Sequence, residues 1–215
     1  MPTFKVLSNR LLTQDTFVLR TERPNVPILA GQCFSLGTKE LAINREYSMY
    51  SAADDPYVDF LIRRVPEGRV STALMNLAEG DDVEIGGPYG SFCLNPELLE
   101  RSSYLFICTG TGIAPFHSYA LTYPHLKFEL LHGVRFEEEM YDLADYPEGT
   151  YKPAISKPRN PEIQMNRVTD SLYKREYSSS EIIYLCGNRS MIIDCVSHLR
   201  NQGINGDSIF TETFF

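Results

Sequence analysis

The chain has 215 residues, 43% of them hydrophobic, with 20 Lys+Arg against 28 Asp+Glu and a formal net charge of −8. That length holds one large domain or two small ones, and an acidic balance in both halves excludes general basic charge as a grip on nucleic acid. No apolar run approaches the ~20 residues of a membrane span, the start MPTFKVLSNR lacks a signal-type apolar core, and five cysteines without a C-x-x-C pair argue against a disulfide framework, a metal knuckle or a built-in iron–sulfur cluster. A cytoplasmic protein with no metal site is expected.

In chain order, Phe4–Leu12, Thr16–Glu22, Gln32–Leu36, Tyr47–Ala52, Val58–Val65 and Asp82–Gly86 read as short strands. Phe17 and Leu19 alternate with Val18 and Arg20, the period of a half-buried strand. Turn signals at Asp54-Asp55-Pro56, Glu79-Gly80-Asp81 and Gly86-Gly87-Pro88 separate them. Six short strands with tight turns predict a small antiparallel barrel or sandwich. One helix interrupts them, with Val70, Ala73, Leu74, Leu77 and Ala78 on one apolar face. Gly68-Arg69-Val70-Ser71 at its start suits either a plain serine cap or an anion held by backbone amides. Arg45-Glu46-Tyr47-Ser48 places a cation, an aromatic and a hydroxyl as a strand begins, which fits a solvated edge as well as a phosphate and a flat ring. Arg63, Arg64 and Arg69 lie close together, a local basic patch of the kind that suits an acidic partner.

The pattern changes after the connector 95–103. Tyr104-Leu105-Phe106-Ile107-Cys108 has the length and composition of a strand buried on both faces. Thr109-Gly110-Thr111-Gly112 then turns with little side-chain bulk, and Ile113-Ala114-Pro115 opens a helix to about Thr122, with Pro in its first turn. Strand, glycine turn and helix start present amides to a phosphate. Gly110-x-Gly112 alone also fits a structural turn. Lys127–His132, Thr150–Ser156, Ile182–Cys186 and Ser208–Glu212 read as further strands, with Pro153 pointing to an edge position. Phe136–Ala144, Arg167–Tyr173 and Ser190–Asn201 read as helices, and 178–180 as a loop. Five strands alternating with helices predict an open parallel sheet with its ligands at the carboxyl ends.

Six motifs in order resemble those of the ferredoxin–NADP reductase family, its bacterial subclass in particular. They are Arg45-x-Tyr47-Ser48, Val65-Pro66-x-Gly68-x-x-Ser71, Gly80-Asp81 through Gly87-Pro88-x-Gly90, Thr109-Gly110-Thr111-Gly112-Ile113-Ala114-Pro115, His132-Gly133-Val134-Arg135 and Cys186-Gly187-Asn188-x-x-Met191. The resemblance implies an FAD-binding β-barrel domain at 1–98 and an NADP-binding α/β domain at 99–215. It implies an NADPH oxidoreductase, a ferredoxin–NADP+ reductase, with hydride transfer to flavin N5 and a transient ferredoxin or flavodoxin partner. A monomer without nucleic-acid or membrane partners is expected. An NAD(P)H:flavin reductase and the reductase component of an oxygenase system remain alternatives.

The resemblance also implies residue roles. For FAD these fall on Arg45, Glu46, Tyr47, Ser48, Leu61, Arg69, Val70, Ser71, Thr111 and Phe214. Arg45 would meet the phosphates, Tyr47 would stack on the ring and Ser48 would bond near N5. For NADP they fall on Thr109, Gly110, Gly112, Arg135, Ser156, Lys157, Arg167, Gly187, Asn188, Arg189 and Met191. Lys157 stands where bacterial members often carry Arg, with Arg159 close by to compensate. Ser48, Cys186, Glu212 and Phe214 are the implied catalytic group, Phe214 covering the flavin within a terminal Phe214-Phe215 pair. Read without the resemblance, Cys186 is a buried structural thiol.

Overall fold

The computed structural model describes residues 1–178 and 180–214. Ser179, read as loop, and Phe215, read as part of the terminal aromatic pair, lie outside the described residues. The chain divides into two compact units, Met1–Cys93 with His117–Thr122, and Leu94–Phe116 with Tyr123–Phe215.

The first unit carries β1 (Thr3–Leu11), β2 (Thr16–Glu22), β3 (Cys33–Gly37), β4 (Asn44–Ser48), β5 (Tyr57–Arg63), α1 (Arg69–Met75) and β6 (Asp82–Tyr89). The strands pair antiparallel in the order β4-β3-β6-β1-β2-β5. A bridge between Met49 and Phe60 joins the two ends, with the Tyr50 amide donating to the Asp59 carbonyl at 2.8 Å. The sheet therefore closes into the expected barrel. Alternate side chains point inward: Phe17 and Leu19, Phe34 and Leu36, Phe60 and Ile62, Val83 and Ile85, with Val70 and Leu74 of α1 plugging the same core. Each fully buried side chain of this kind contributes about 1.5–3 kcal/mol. Phe34 and Phe60 meet edge to face, ring centres 5.6 Å apart.

Several boundaries differ from the sequence reading, β6 running on to Tyr89 rather than ending at Gly86, and two of the differences have a visible cause. The fourth strand runs over Asn44–Ser48 rather than Tyr47–Ala52, because 44–48 finds its partner in β3, Arg45 opposite Leu36 and Tyr47 opposite Phe34. Arg45 and Glu46 are exposed there, so a hydropathy count gives that strand no weight. The helix stops at Met75 rather than Ala78. Asn9 of β1 reaches across with Nδ2 and donates to the carbonyls of Leu74, Met75 and Leu77 at 3.1, 3.1 and 2.8 Å, satisfying the acceptors that a helix end leaves open.

The second unit carries β7 (Ser103–Thr109), β8 (Phe128–Val134), β9 (Tyr151–Ile155), β10 (Glu181–Asn188) and β11 (Ile209–Phe214). All pair parallel in the order β11-β10-β7-β8-β9. Its helices are α3 (Val168–Tyr173) and α4 (Arg189–Asn201), and α2 (Ala114–Thr122) begins in it. Pro153 sits on the edge strand β9, where a missing N–H costs little. The two faces of the sheet differ in chemistry. Leu105, Ile107, Leu131, Ile183 and Leu185 pack with Val168, Leu172, Ile192 and Leu199 of α3 and α4. The other face is aromatic: Phe106 stacks on Phe116 at 4.7 Å, and Tyr184 on Phe210 at 4.6 Å. Burial on both sides is why β7 and β10 read as unbroken apolar runs.

The predicted helix over Phe136–Ala144 is absent. Two short 3-10 turns, Glu137–Glu139 and Leu143–Asp145, take its place, separated by Asp142 in the left-handed region at φ 44. The glutamates here serve as acceptors for neighbouring loops. Glu139, buried, accepts from the Arg135 amide at 2.7 Å, and Glu137 accepts from the amides of Arg159 and Asn160 at 3.0 and 2.9 Å. Those tertiary bonds outweigh the weak helical pattern.

Candidate functional site

In the first unit, β4 presents Arg45 and Tyr47 on one face and Ser48 on the other. Arg45 is exposed, its Nη1 donating to the Asn44 carbonyl at 2.8 Å. Tyr47 is half-buried against the barrel core, and that burial pushes its phenol up to about 12, so it stays a neutral aromatic surface. Ser48 is buried, and the Met49–Phe60 bridge brings it beside Leu61 of β5. At the start of α1, Ser71 Oγ accepts from the Val65 amide at 3.1 Å and faces the Gly68 carbonyl at 3.4 Å. The hydroxyl is thus spent on shaping the 65–68 loop, which leaves the first-turn backbone amides as the donors a helix start offers. A side chain at Gly68 would put its Cβ 2.8 Å from Ser71 Oγ and 2.9 Å from Val65 Cβ. A strand face with a flat ring and a cation, and a tightly folded loop with open amides, suit a flavin and its phosphates. Of the local arginines, Arg63 is held by Asp15 at 3.0 Å, so it does not add to a basic patch.

In the second unit, one row of residues crosses the whole sheet near its carboxyl ends. Glu212, Cys186, Cys108, His132 and Pro153 are successive register partners on β11, β10, β7, β8 and β9. Cys186 Sγ faces Glu212 Oε1 at 4.0 Å. Burial, with Glu212 and Cys108 adding, pushes the Cys186 thiol well above its usual range, so it is a small, protonated, weakly donating group rather than a thiolate nucleophile. Phe214, half-buried, ends β11 opposite Asn188.

Directly beyond the row, two glycine turns interlock. Gly110 lies at φ 54, and the segment Gly110–Ile113 is a 3-10 turn leading into α2. A Cβ on Gly112 would stand 2.6 Å from the Cys186 carbonyl oxygen and 2.8 Å from Gly187 Cα. A Cβ on Gly187 would strike Thr109 Oγ1, which accepts from the Asn188 amide at 3.0 Å. Asn188 Oδ1 caps α4 through the Ser190 amide at 2.9 Å, with Arg189 exposed in its first turn and Met191 buried behind it. Two glycine turns meeting at the start of a helix place backbone amides of the kind that suits phosphate oxygens.

At the other end of the edge, Ser156 and Lys157 continue β9 alongside Val134 and Arg135, with amides donating at 2.9 and 2.8 Å. Arg167 precedes α3, its amide donating to Asp170 at 2.9 Å. The structure thus groups Arg135, Ser156 and Lys157 at adjacent strand ends. Arg159 is committed elsewhere: it pairs with Glu138 at 2.9 Å and lies over the Phe136 ring at 4.5 Å.

Residues 4–93 match the oxidoreductase FAD-binding domain, and residues 106–197 the oxidoreductase NAD-binding domain. The chain belongs to the ferredoxin–NADP reductase family. It is 29% identical over 221 residues to the toluate 1,2-dioxygenase electron transfer component of Pseudomonas putida, covering 95% of this chain and 65% of that one. It is 30% identical over 188 residues to the reductase component of the naphthalene 1,2-dioxygenase system of the same organism, covering 80% and 56%. The chain therefore spans less than two thirds of these curated relatives. Among solved structures, a ferredoxin NADP+ reductase from Neisseria gonorrhoeae with bound FAD and NADP superposes with a TM-score of 0.83 at 25% identity, covering 100% of this chain and 98% of that one.

Membership of this reductase family makes the first unit an FAD-binding domain and the second an NAD-binding domain. Within the latter, the sequence reading gave Cys108 and Tyr151 no role and met His132 only as the first residue of the motif His132-Gly133-Val134-Arg135. Cys108, His132 and Tyr151 line the aromatic face beneath the glycine turn, and burial raises the Cys108 thiol well above its usual range. A histidine inside an otherwise apolar strand was the available signal for His132. Nothing local marks Tyr151. Among the described residues no helix is long and apolar enough to cross a membrane.

Proposed function

We propose that this protein is an FAD-dependent reductase that draws electrons from NADPH and passes them singly to a small carrier such as a ferredoxin or flavodoxin, as a monomer in the cytoplasm. Residues 1–98 would hold the flavin and 99–215 the nucleotide. The reading is carried by the interlocked turns Thr109–Gly112 and Cys186–Asn188, closed against each other by backbone contact at the carboxyl edge of the sheet.

When bound, FAD supplies the conversion of a two-electron donor into one-electron deliveries. The chain's own groups bind and orient. Arg45 and the first amides of α1, over Arg69, Val70 and Ser71, offset the flavin phosphates. Tyr47 gives a neutral face for stacking, Ser48 a hydroxyl for the ring edge, and Glu46 and Leu61 flank them. The amides of Thr109–Gly112 and of Gly187–Arg189, with Met191 behind, hold the nucleotide pyrophosphate. Arg135, Ser156, Lys157 and Arg167 face the adenosine 2′-phosphate. Cys186 is small enough to admit the nicotinamide and remains protonated, Glu212 sets the local charge, and Phe214 offers an aromatic cover.

A second reading, the reductase component of an oxygenase system, is favoured by what the two Pseudomonas relatives are called. It differs in acceptor and not in the residues used. The experiment is a visible spectrum of the purified protein, then steady-state NADPH and NADH oxidation with ferricyanide and with a reduced-carrier readout. A yellow protein that oxidises NADPH and reduces a ferredoxin supports the first reading. A colourless protein that reduces only added free flavin would replace it with a flavin reductase.

A further inference from the structure

His132 is fully buried in β8, with its two ring nitrogens differently engaged. Nε2 lies 2.9 Å from the Gly110 carbonyl oxygen, and Nδ1 lies 2.6 Å from the Tyr151 hydroxyl. A carbonyl only accepts, so Nε2 carries the hydrogen. Burial holds the ring's pKa down to about 4 despite the Gly110 bond, which leaves the imidazole neutral and Nδ1 a lone-pair acceptor. Tyr151 must then donate, and its own burial raises its pKa, so the donor is not lost. The chain of bonds has one direction, from Tyr151 O–H to Nδ1 and from Nε2–H to the Gly110 oxygen. Tyr141 and Tyr151 wall the ring, with centres 6.2 and 5.7 Å away.

The bonded carbonyl belongs to the turn proposed to hold the pyrophosphate. In a planar trans peptide the C=O and the following N–H point opposite ways. Fixing the Gly110 oxygen inward, onto His132, therefore turns the Thr111 N–H outward. Gly110 lies at φ 54 with no atom within 4 Å of where its Cβ would be, so side-chain sterics do not choose that peptide's orientation, and the imidazole bond adds to the 3-10 turn in fixing it. We propose that His132, held in its Nε2–H form by Tyr151, is the positioning residue that aims the amides of the 110–112 turn at the nucleotide pyrophosphate. It touches neither ligand nor reacting atoms and acts through the turn. The inference rests on the nucleotide reading above.

The test uses the full-length protein and two probes: ADP-ribose, which carries a pyrophosphate, and adenosine 2′-monophosphate, which does not. His132→Leu is expected to weaken ADP-ribose roughly tenfold or more by calorimetry, while adenosine 2′-monophosphate changes by less than about threefold. His132→Gln, whose amide can donate from nearly the Nε2 position, should recover most of the ADP-ribose affinity. Tyr151→Phe should fall between them. Nitrogen NMR of the wild-type histidine should show a hydrogen on Nε2 and a bare Nδ1 at neutral pH, a readout that survives even if the leucine variant fails to fold. Equal loss for both probes, no loss in His132→Leu, or a hydrogen on Nδ1 would overturn the assignment. A wild type that binds neither probe would instead bring down the nucleotide reading, and this one with it.

Discussion

Replacing Gly112 by alanine isolates the contact between the two glycine turns. The new Cβ would sit 2.6 Å from the Cys186 carbonyl oxygen and 2.8 Å from both Cys186 C and Gly187 Cα. Every one of those atoms is backbone, so no flexible side chain can yield, and an ordinary contact near 3.4 Å requires the turns to part by several tenths of an ångström. Overpacking of this kind costs about 1–3 kcal/mol, or roughly 2–12 °C in melting temperature for a chain of this size. The same displacement misaligns several phosphate donors at once, so NADP+ affinity should fall about 100-fold. Gly110→Ala provides the contrast. Its Cβ meets nothing within 4 Å, leaving only the left-handed φ, which costs about 1–2 kcal/mol, and NADP+ affinity should drop less than tenfold. Dissociation constants from flavin difference spectra, with melting curves on the same samples, measure both. A Gly112→Ala protein that binds NADP+ within twofold of wild type, or one weakened no more than Gly110→Ala, would refute the interlocked-turn account.

Three other outcomes are expected. Asn9→Ala removes the donor shared by three carbonyls at the end of α1; urea unfolding should show a loss of about 1–2 kcal/mol, with faster FAD release because α1 follows the 65–68 loop. Arg175 holds the buried Glu181 carboxylate through two bonds of 2.6 and 2.7 Å and Glu129 at 3.2 Å. Arg175→Met should cost about 3 kcal/mol by leaving Glu181 unpaired, and Arg175→Met with Glu181→Leu should regain most of it, as denaturant midpoints would show. His132 has a folded pKa of about 4 against a reference of 6.5. The unfolded chain takes the proton first, so this contribution to stability is complete above pH ~6.5 and disappears as pH falls toward 4, roughly 3 kcal/mol in all. His132→Gln should flatten that segment of the stability–pH curve.

Much of the architecture was legible along the chain because its signals are local. Alternation at Phe17–Arg20 marked a strand, though Thr16, Val18 and Thr21 bury its second face as well; the run Tyr104–Cys108 marked a strand with no wet face, and Pro153 an edge. Gly110 and Gly112 announced a turn, and their company with Arg45-x-Tyr47-Ser48 and Cys186-Gly187-Asn188 announced the family. Where local pattern competed with long-range bonding, the pattern lost. Glu137 and Glu139 read as helix surface and instead pin the 135 and 159–160 amides. Arg159 read as a spare phosphate ligand and is paired with Glu138.

The sequence by itself determined most of the strands, which turns need glycine, and which family the chain belongs to, since each depends on a residue and its near neighbours. Only the tertiary structure decided that Glu212, Cys186, Cys108 and His132 fall in one row, and that Tyr151 and Gly110 meet the same imidazole. Register between parallel strands is set by packing on both faces of the sheet, among residues far apart in the chain, and no period within a single strand records it.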